Sequence, residues 1–274
     1  MKNIQLLIID PQNDFVDSRH GSLAVAGAEG DMDRLAALVD RLRDKLSGVH
    51  ITLDSHLRVD ISHPLWWRGP SGERPGAFTQ IAAADVADGV WRTSDPSARE
   101  RTLSYLRQLD QRGRYPHTVW PEHCLIGDEG HNVWPTLSAA VHRWEERYAL
   151  PNFVTKGTNR WTEHFSAVCA EVPDPADAST QLNRGLIDTL EDADLVLVAG
   201  EARSHCVANT VRDIADHLRD PSSLERMVLL TDATSDVADP PGTTLFSDLG
   251  ARFLRDMTAR GMKTATTTAI LDAA

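Results

Sequence analysis

Only three of the 274 residues are cysteine (Cys124, Cys169 and Cys206), an odd and sparse set. So few thiols exclude a disulfide scaffold and fit a reduced, cytoplasmic setting. Long apolar runs are missing as well. Nothing in the chain approaches the roughly 18 residues of a membrane span, so no membrane partner is expected. The opening MKNIQLLIID has one lysine before a short apolar run that ends in an acid, and no small-residue cleavage site, which is unlike a signal peptide. Positive charge is in deficit, with 28 Lys and Arg against 40 Asp and Glu and a formal net charge of -12. Nucleic-acid binding wants a basic stripe, so a nucleic-acid partner is not expected. The acidity otherwise serves solubility. Internal repeats and low-complexity tracts are also lacking.

What is present is an alternation of apolar β-type runs with helical patterns. The runs predict strands at Asn3–Ile9, Val49–Leu53, Asn152–Thr155, Asp194–Ala199, Met227–Thr231 and Thr264–Thr268. Asp31–Leu46 reads as an amphipathic helix with Leu35, Leu38, Val39, Leu42 and Leu46 on one stripe. Val207–Leu218 and Leu245–Arg260 read as two more, the latter closed by Gly261. This alternation predicts a three-layer α/β/α, Rossmann-like fold around a mostly parallel sheet of about six strands. The chain, 1–274, is expected to be one domain. Its exception is the stretch at about 58–115, rich in Pro and Gly, with a charged helix near Ala98–Gln111. That stretch predicts an irregular inserted lid over the site. Of its aromatics Trp66, Trp67, Phe78 and Trp91, some are expected at the entrance and at least half beneath the lid itself. Glu171–Thr180 reads as a surface loop.

Three separated segments carry chemistry. Asp10 follows the first strand in IIDPQNDF, Lys156 follows the third in VTKGTN, and Cys206 follows the fourth in VAGEARSHCVANTV. Open α/β sheets build their sites just past the carboxyl ends of their strands. An acid, a lysine and a thiol placed there supply a base, a charge stabiliser and a nucleophile. Cys206 opens a helix, and the positive end of that helix together with Lys156 is expected to favour the thiolate. A second set suits a metal. Asp54 and His56, two apart on one strand, point to the same face. His63 follows after a short loop, and His123 lies in WPEHCLIG. Three imidazoles and one carboxylate suit a divalent transition metal (Zn, Fe or Mn) rather than the all-oxygen shells of Ca²⁺ or Mg²⁺.

Taken together, the D-x-H of Asp54 and His56, the later His63, the W-P-x-H-C around His123, and the Asp10, Lys156–Gly157…FSA and Cys206 segments resemble the isochorismatase-like cysteine hydrolases, in their metal-binding, nicotinamidase-like branch. The resemblance implies a metal-dependent amidohydrolase that converts nicotinamide or a close carboxamide to the acid and ammonia through a thioester on Cys206. It implies catalytic roles for Asp10, Lys156 and Cys206, and a cis peptide at Glu201–Ala202. It further implies an oxyanion hole from the N–H groups of Ala202 and Cys206, and metal ligation by Asp54, His56, His63 and His123. The metal would hold the pyridine nitrogen, with Phe15 and Trp120 sandwiching the ring. The expected partner is a small carboxamide, and a homo-oligomer is expected. Two departures stand out. Arg203-Ser204-His205-Cys206 occupies the place of a T-D-x-C, and the gap between His63 and His123 is long. His164 and His205 adjoin the catalytic segments and are expected to be solvated or supporting. The alternatives are a hydrolase of another amide, ureido or carbamoyl compound, a catalytically silent metal-binding regulatory module, and a redox sensor built on Cys206.

Overall fold

Each of the six apolar runs forms a strand of one sheet. A computed structural model describes residues 2–240 and 242–271. Its strands are β1 (Ile4–Ile9), β2 (Gly48–Asp54), β3 (Asn152–Lys156), β4 (Leu195–Gly200), β5 (Met227–Leu230) and β6 (Lys263–Ala265). They lie in the order β6-β5-β4-β1-β2-β3, and every neighbouring pair is parallel. The order reverses direction of travel at β1, so the carboxyl ends of β4, β1, β2 and β3 line one edge with a crevice between them. Leu6, Leu7, Ile8 and Ile9 of β1 are fully buried. Covering each such side chain is worth about 2 kcal/mol, which is why the most apolar strand is central. β3 closes the sheet at the other extreme: Asn152, Phe153 and Thr155 are exposed, and only its last residue, Lys156, is buried.

The helices are α1 (Ala28–Leu42), α2 (Arg99–Arg112), α3 (Pro135–Glu145), α4 (Arg184–Glu191), α5 (Ala208–His217) and α6 (Leu245–Ala259); all but α2, which lies in the inserted stretch, flank the sheet. α1 begins and ends earlier than its sequence pattern suggests. Gly27, at φ +97°, turns the chain into it, and after Leu42 the backbone tightens into Lys45 N–H to Leu42 O. Leu46 is still buried, but from a turn. α3 and α4 were not foreseen, although Leu137, Ala140, Val141 and Trp144 of α3 keep helical spacing and are buried. α5 starts later than expected because Arg203–Val207 forms a wider, π-type turn ahead of it.

The stretch at 58–115 is more ordered than a lid of irregular chain. It pairs Trp67–Arg68 with Arg92–Thr93 and Thr79–Gln80 with Thr118–Val119, both antiparallel. Under α2 it encloses a small core of its own that includes Ile61, Trp66, Trp67, Leu103, Leu106 and Val119. Of its four aromatics, Trp66 and Trp67 lie beneath the lid, in keeping with the expectation that at least half would. Trp67 is fully buried with its indole N–H on Ile61 O at 2.8 Å, and Trp66 is buried against Thr102 Oγ1 at 3.2 Å. Trp91 packs half-buried on the same cluster, and Phe78 stays partly exposed. Glu171–Thr180 is likewise a loop whose two ends, Glu171 and Thr180, are buried.

Candidate active site

The sheet register brings the three catalytic candidates together. Ile9 lies opposite Gly200, and Asp54 opposite Lys156, so Asp10, Cys206 and Lys156 share one edge of the sheet, with Lys156 reaching Asp10 past the end of β2. Asp10 turns out of β1 at φ +46° and is fully buried. Its backbone N–H donates to Thr52 Oγ1 at 3.0 Å, and the Thr52 hydroxyl donates back to Asp10 Oδ1. Lys156 Nζ sits 2.9 Å from Asp10 Oδ2, 2.9 Å from Asp54 Oδ1 and 3.6 Å from Cys206 Sγ. Two glycines make this approach possible. A Cβ on Gly157, at φ +81°, would lie 3.0 Å from Asp54 Oδ1, and one on Gly200, at φ +113°, would lie 2.0 Å from Ile9 O.

The electrostatics divide the acids. Burial raises the Asp10 carboxyl; Lys156 pulls it back without cancelling the rise. Burial acts on Asp54 too, but His56 and Lys156 outweigh it and hold this carboxyl well below the usual range. Two carboxylates 2.9 Å from one ammonium thus have opposite tendencies, a proton carrier and a fixed charge. Burial opposes the charge on Lys156, yet Asp10 and Asp54 overcome it and keep the lysine cationic. The Cys206 thiol departs from expectation. Burial pushes it well up, Lys156 works against that, and Asp10 and Asp54 add to it. A resting thiolate favoured by the helix end and Lys156 is therefore not what this environment supports.

His56, His63 and His123 converge from three places in the chain, with donor atoms all within 4.8 Å of one another. Asp54 Oδ2 lies 3.1 Å from His56 Nε2 and 3.3 Å from His123 Nε2. The group fits a metal ion on its own geometry, because His56 Nε2 is buried and makes no aligned hydrogen bond. Its other nitrogen, Nδ1, faces Asp60 Oδ2 at 3.3 Å, and such a carboxylate orients a ligating imidazole. Burial, with His123 and His56 nearby, holds His63 down at about 3, a neutral imidazole. On His56, burial is outweighed by Asp54 and Asp60, which favour the charged ring. A cation there is what two buried carboxylates call for. The chemistry of these donors, nitrogen with one carboxylate, suits a transition metal.

Between the two groups is a narrow cavity of about 30 Å³, lined by Phe15, Trp120, His123, Glu163, His205 and Cys206 among others, with Asp54, Ala202 and Val237 at its walls. Both aromatics expected at the substrate, Phe15 and Trp120, are there, and Phe15 packs on the His123 ring at 5.5 Å between centroids. So small a space, far below the roughly 300–1,000 Å³ of drug-sized pockets, is water-sized as it stands, and a ring would enter only as these walls part. The peptide bond Glu201–Ala202 is cis, and both Ala202 and Cys206 face the cavity.

Four contributors were not assigned from sequence. Gln12 clamps the Asp54 backbone, its amide donating to Asp54 O and accepting from Asp54 N–H, each at 2.7 Å. Asp60 supports His56. Glu163, raised to about 8 by burial, accepts from the Trp120 indole at 3.2 Å. His205, expected to be solvated or supporting, is not solvated: it forms a wall of the cavity and is lowered to about 3 by burial. His164 is a support, as expected: its Nδ1 accepts from Gly157 N–H at 3.2 Å behind Lys156.

No family model matches the chain, and no curated protein matches it in sequence. Solved structures do match it in fold. It is similar to an Acinetobacter baumanii nicotinamidase/pyrazinamidase (21% identity, 99% of each chain covered, TM-score 0.62). It is also similar to the Pyrococcus horikoshii pyrazinamidase in complex with zinc (17% identity, 96% of this chain and 99% of that one, TM-score 0.54). A third is an isochorismatase family protein from Desulfovibrio vulgaris (20% identity, 99% of this chain and 98% of that one, TM-score 0.53). The matches run the length of the chain, so its six-stranded parallel sheet and flanking helices are the isochorismatase-like fold, in the form found in nicotinamidases.

Proposed function

We propose that this protein is a metal-dependent cysteine amidohydrolase that converts nicotinamide, or a closely related carboxamide, to the acid and ammonia. The observation that carries the reading is Lys156 Nζ, 2.9 Å from Asp10 Oδ2 and 3.6 Å from Cys206 Sγ, with Cys206 itself lining a narrow aromatic cavity. Asp10 takes the Cys206 proton as the sulfur attacks the carboxamide carbon. The carbonyl π pair moves to oxygen, and the N–H groups of Ala202 and Cys206 receive that charge. Asp10 then gives its proton to the nitrogen, the C–N bond breaks, and ammonia leaves a thioester on Cys206. Water, deprotonated by Asp10, adds to the thioester; the C–S bond breaks and the proton returns to sulfur. Lys156 stays charged throughout and offsets whichever of Asp10 and Cys206 is anionic. Burial makes Asp10 a better proton acceptor and keeps the Cys206 thiol protonated, which supports proton transfer to Asp10 as the sulfur attacks, rather than attack by a preformed thiolate.

His56, His63 and His123, with Asp54, would hold a divalent transition metal, which when bound supplies a Lewis-acid contact for a ring nitrogen of the substrate. Phe15 and Trp120 would fix the ring plane. The similarity to nicotinamidases and to a zinc-bound pyrazinamidase supports both the substrate class and the metal. Ammonia release should be measured over a panel headed by nicotinamide, with benzamide as the analogue lacking the ring nitrogen. Wild-type protein should favour nicotinamide. Cys206→Ala should lose about a thousandfold or more, as befits loss of a covalent catalyst, with metal content unchanged. Cys124→Ala and Cys169→Ala should keep most activity. Ammonia release that survives in Cys206→Ala would end the proposal.

A further inference from the structure

Where a T-D-x-C would place a carboxylate at position 204, this chain has Ser204, and an acid stands instead on the other side of Ala202. Glu201 is fully buried, with its Oε2 accepting from Ser235 N–H at 3.0 Å and its Oε1 without a partner. A buried carboxyl with an idle oxygen is unfavourable unless it holds something. What it holds is one half of a clamp. Ser235 O accepts from Arg203 N–H at 2.8 Å, so the residues before and after Ala202 both hang on Ser235. Ser235 is fixed in turn from behind, its hydroxyl donating to Asp31 Oδ2 at 2.5 Å, while Asp31 Oδ1 accepts from Arg34 at 2.6 Å. On either side the same strip continues: Gly200 N–H donates to Ala233 O at 2.9 Å, and Val237 N–H donates to Ser204 Oγ at 3.1 Å. The Arg203 guanidinium pairs with Asp236.

We propose that Glu201, through Ser235 and Asp31, is the positioning residue of the oxyanion-binding turn, setting the direction of the Ala202 N–H in the amidohydrolase reaction proposed above, on which this inference rests. Charge is not what Glu201 contributes. The charged groups around it are Asp31 and Asp236 on one side of the balance and Arg34 and Arg203 on the other. Burial, with Asp31 next, raises its carboxyl well above the ordinary range. An uncharged acceptor of the same shape therefore replaces it.

The test compares Glu201→Gln with Glu201→Leu in the metal-loaded protein. Three readouts separate positioning from general damage: kcat and KM for nicotinamide, binding of pyridine-3-carbaldehyde against binding of nicotinate, and alkylation of Cys206 by iodoacetamide. The aldehyde forms a C–S bond with Cys206, its carbonyl pair moving to an oxygen in the oxyanion site and the thiol proton to Asp10. It senses the turn, whereas nicotinate and alkylation do not. Glu201→Leu should lower kcat and aldehyde affinity about tenfold or more, the scale of a misaimed oxyanion donor, with KM, nicotinate binding and alkylation little changed. Glu201→Gln should restore both. Should Glu201→Leu not fold, Ser235→Ala is read in its place. It should weaken aldehyde binding severalfold and spare alkylation. An active wild type whose leucine variant, or alanine variant in that fallback, keeps full kcat and aldehyde affinity overturns this inference alone. So does a uniform loss over all readouts that glutamine fails to restore. A wild type that neither releases ammonia nor binds the aldehyde overturns the amidohydrolase reading, and this inference with it.

Discussion

At the scale of single residues, the site sets burial against charge. Cys206 illustrates this best. Its thiol is 3.6 Å from an ammonium that should ionise it, yet burial wins and raises it. The sign is clear: a thiol with a raised value stays protonated at neutral pH and becomes the reactive thiolate only as pH climbs. Alkylation of Cys206 by iodoacetamide, followed by mass spectrometry, should therefore accelerate steadily through pH 9 without levelling. A plateau near pH 7 would mean a preformed thiolate and would return the redox-sensor reading to contention. In sequence, Asp10, Lys156 and Cys206 were legible because each ends an apolar run, where an open sheet gathers its chemistry. The raised thiol was not, since burial depends on walls such as Phe165 and Val237 that come from elsewhere in the chain. Gln12, Asp60 and Glu163 were missed for a related reason. Gln12 and Glu163 are ordinary turn or surface residues until distant partners, Asp54 and Trp120, are set beside them, and Asp60 until the loop folds it back onto His56 four residues earlier.

At the scale of elements, the central strands were legible because parallel strands buried on both faces read as short apolar runs, and the edge strands β3 and β6 by their β-type residues between helical patterns. The inserted stretch was not, because its fold depends on tertiary pairing: strands of two residues carry no periodicity, and Trp66 and Trp67 look the same in a lid and in a core. Two of its aromatics reach the cavity walls: Tyr115 packs from behind on Phe165 and His205 at 5.3 and 5.1 Å between centroids, and Phe78, 40% exposed and held at φ +67°, lies edge-on to Trp120 at 5.8 Å. This divides the insertion's aromatics into two kinds. Phe78→Ala removes little buried surface and frees the outer side of Trp120, so it should change the relative kcat/KM among carboxamides while leaving thermal stability nearly intact. Trp67→Ala empties the insertion's own core and should destabilise by about 3–5 kcal/mol, with the substrate ranking unaltered. If the ranking instead follows Trp67 and ignores Phe78, the insertion governs access through its packing rather than through the residue it extends over Trp120.

At the scale of the whole molecule, the three histidines tie together parts of the chain that share little else. His56 follows the end of β2, His63 enters the insertion, and His123 leaves it, so both ends of a stretch with its own small core meet at one point beside the sheet. No helix among the described residues is long and apolar enough to cross a membrane, and the net charge of -12 adds self-repulsion rather than cohesion. A dication at that point would offset buried acid charge from Asp54 and Asp60 and close the loop of the insertion in one step. Metal that binds only the folded chain stabilises it by about 2.7 kcal/mol at a hundred times its dissociation constant. For a chain of this length that corresponds to a rise in Tm of roughly 5 °C. Differential scanning fluorimetry with Zn²⁺, Fe²⁺ or Mn²⁺ added to chelator-stripped protein should show a rise of this order. His56→Ala and His123→Ala should abolish it, and Mg²⁺ should fail to produce it, since these donors are mostly nitrogen. The readout needs no substrate, so it separates the metal from the chemistry: Cys206→Ala should shift as far as wild type. A shift that survives loss of His56 and His123 would place the ion elsewhere and leave this histidine group as buried packing around Asp54.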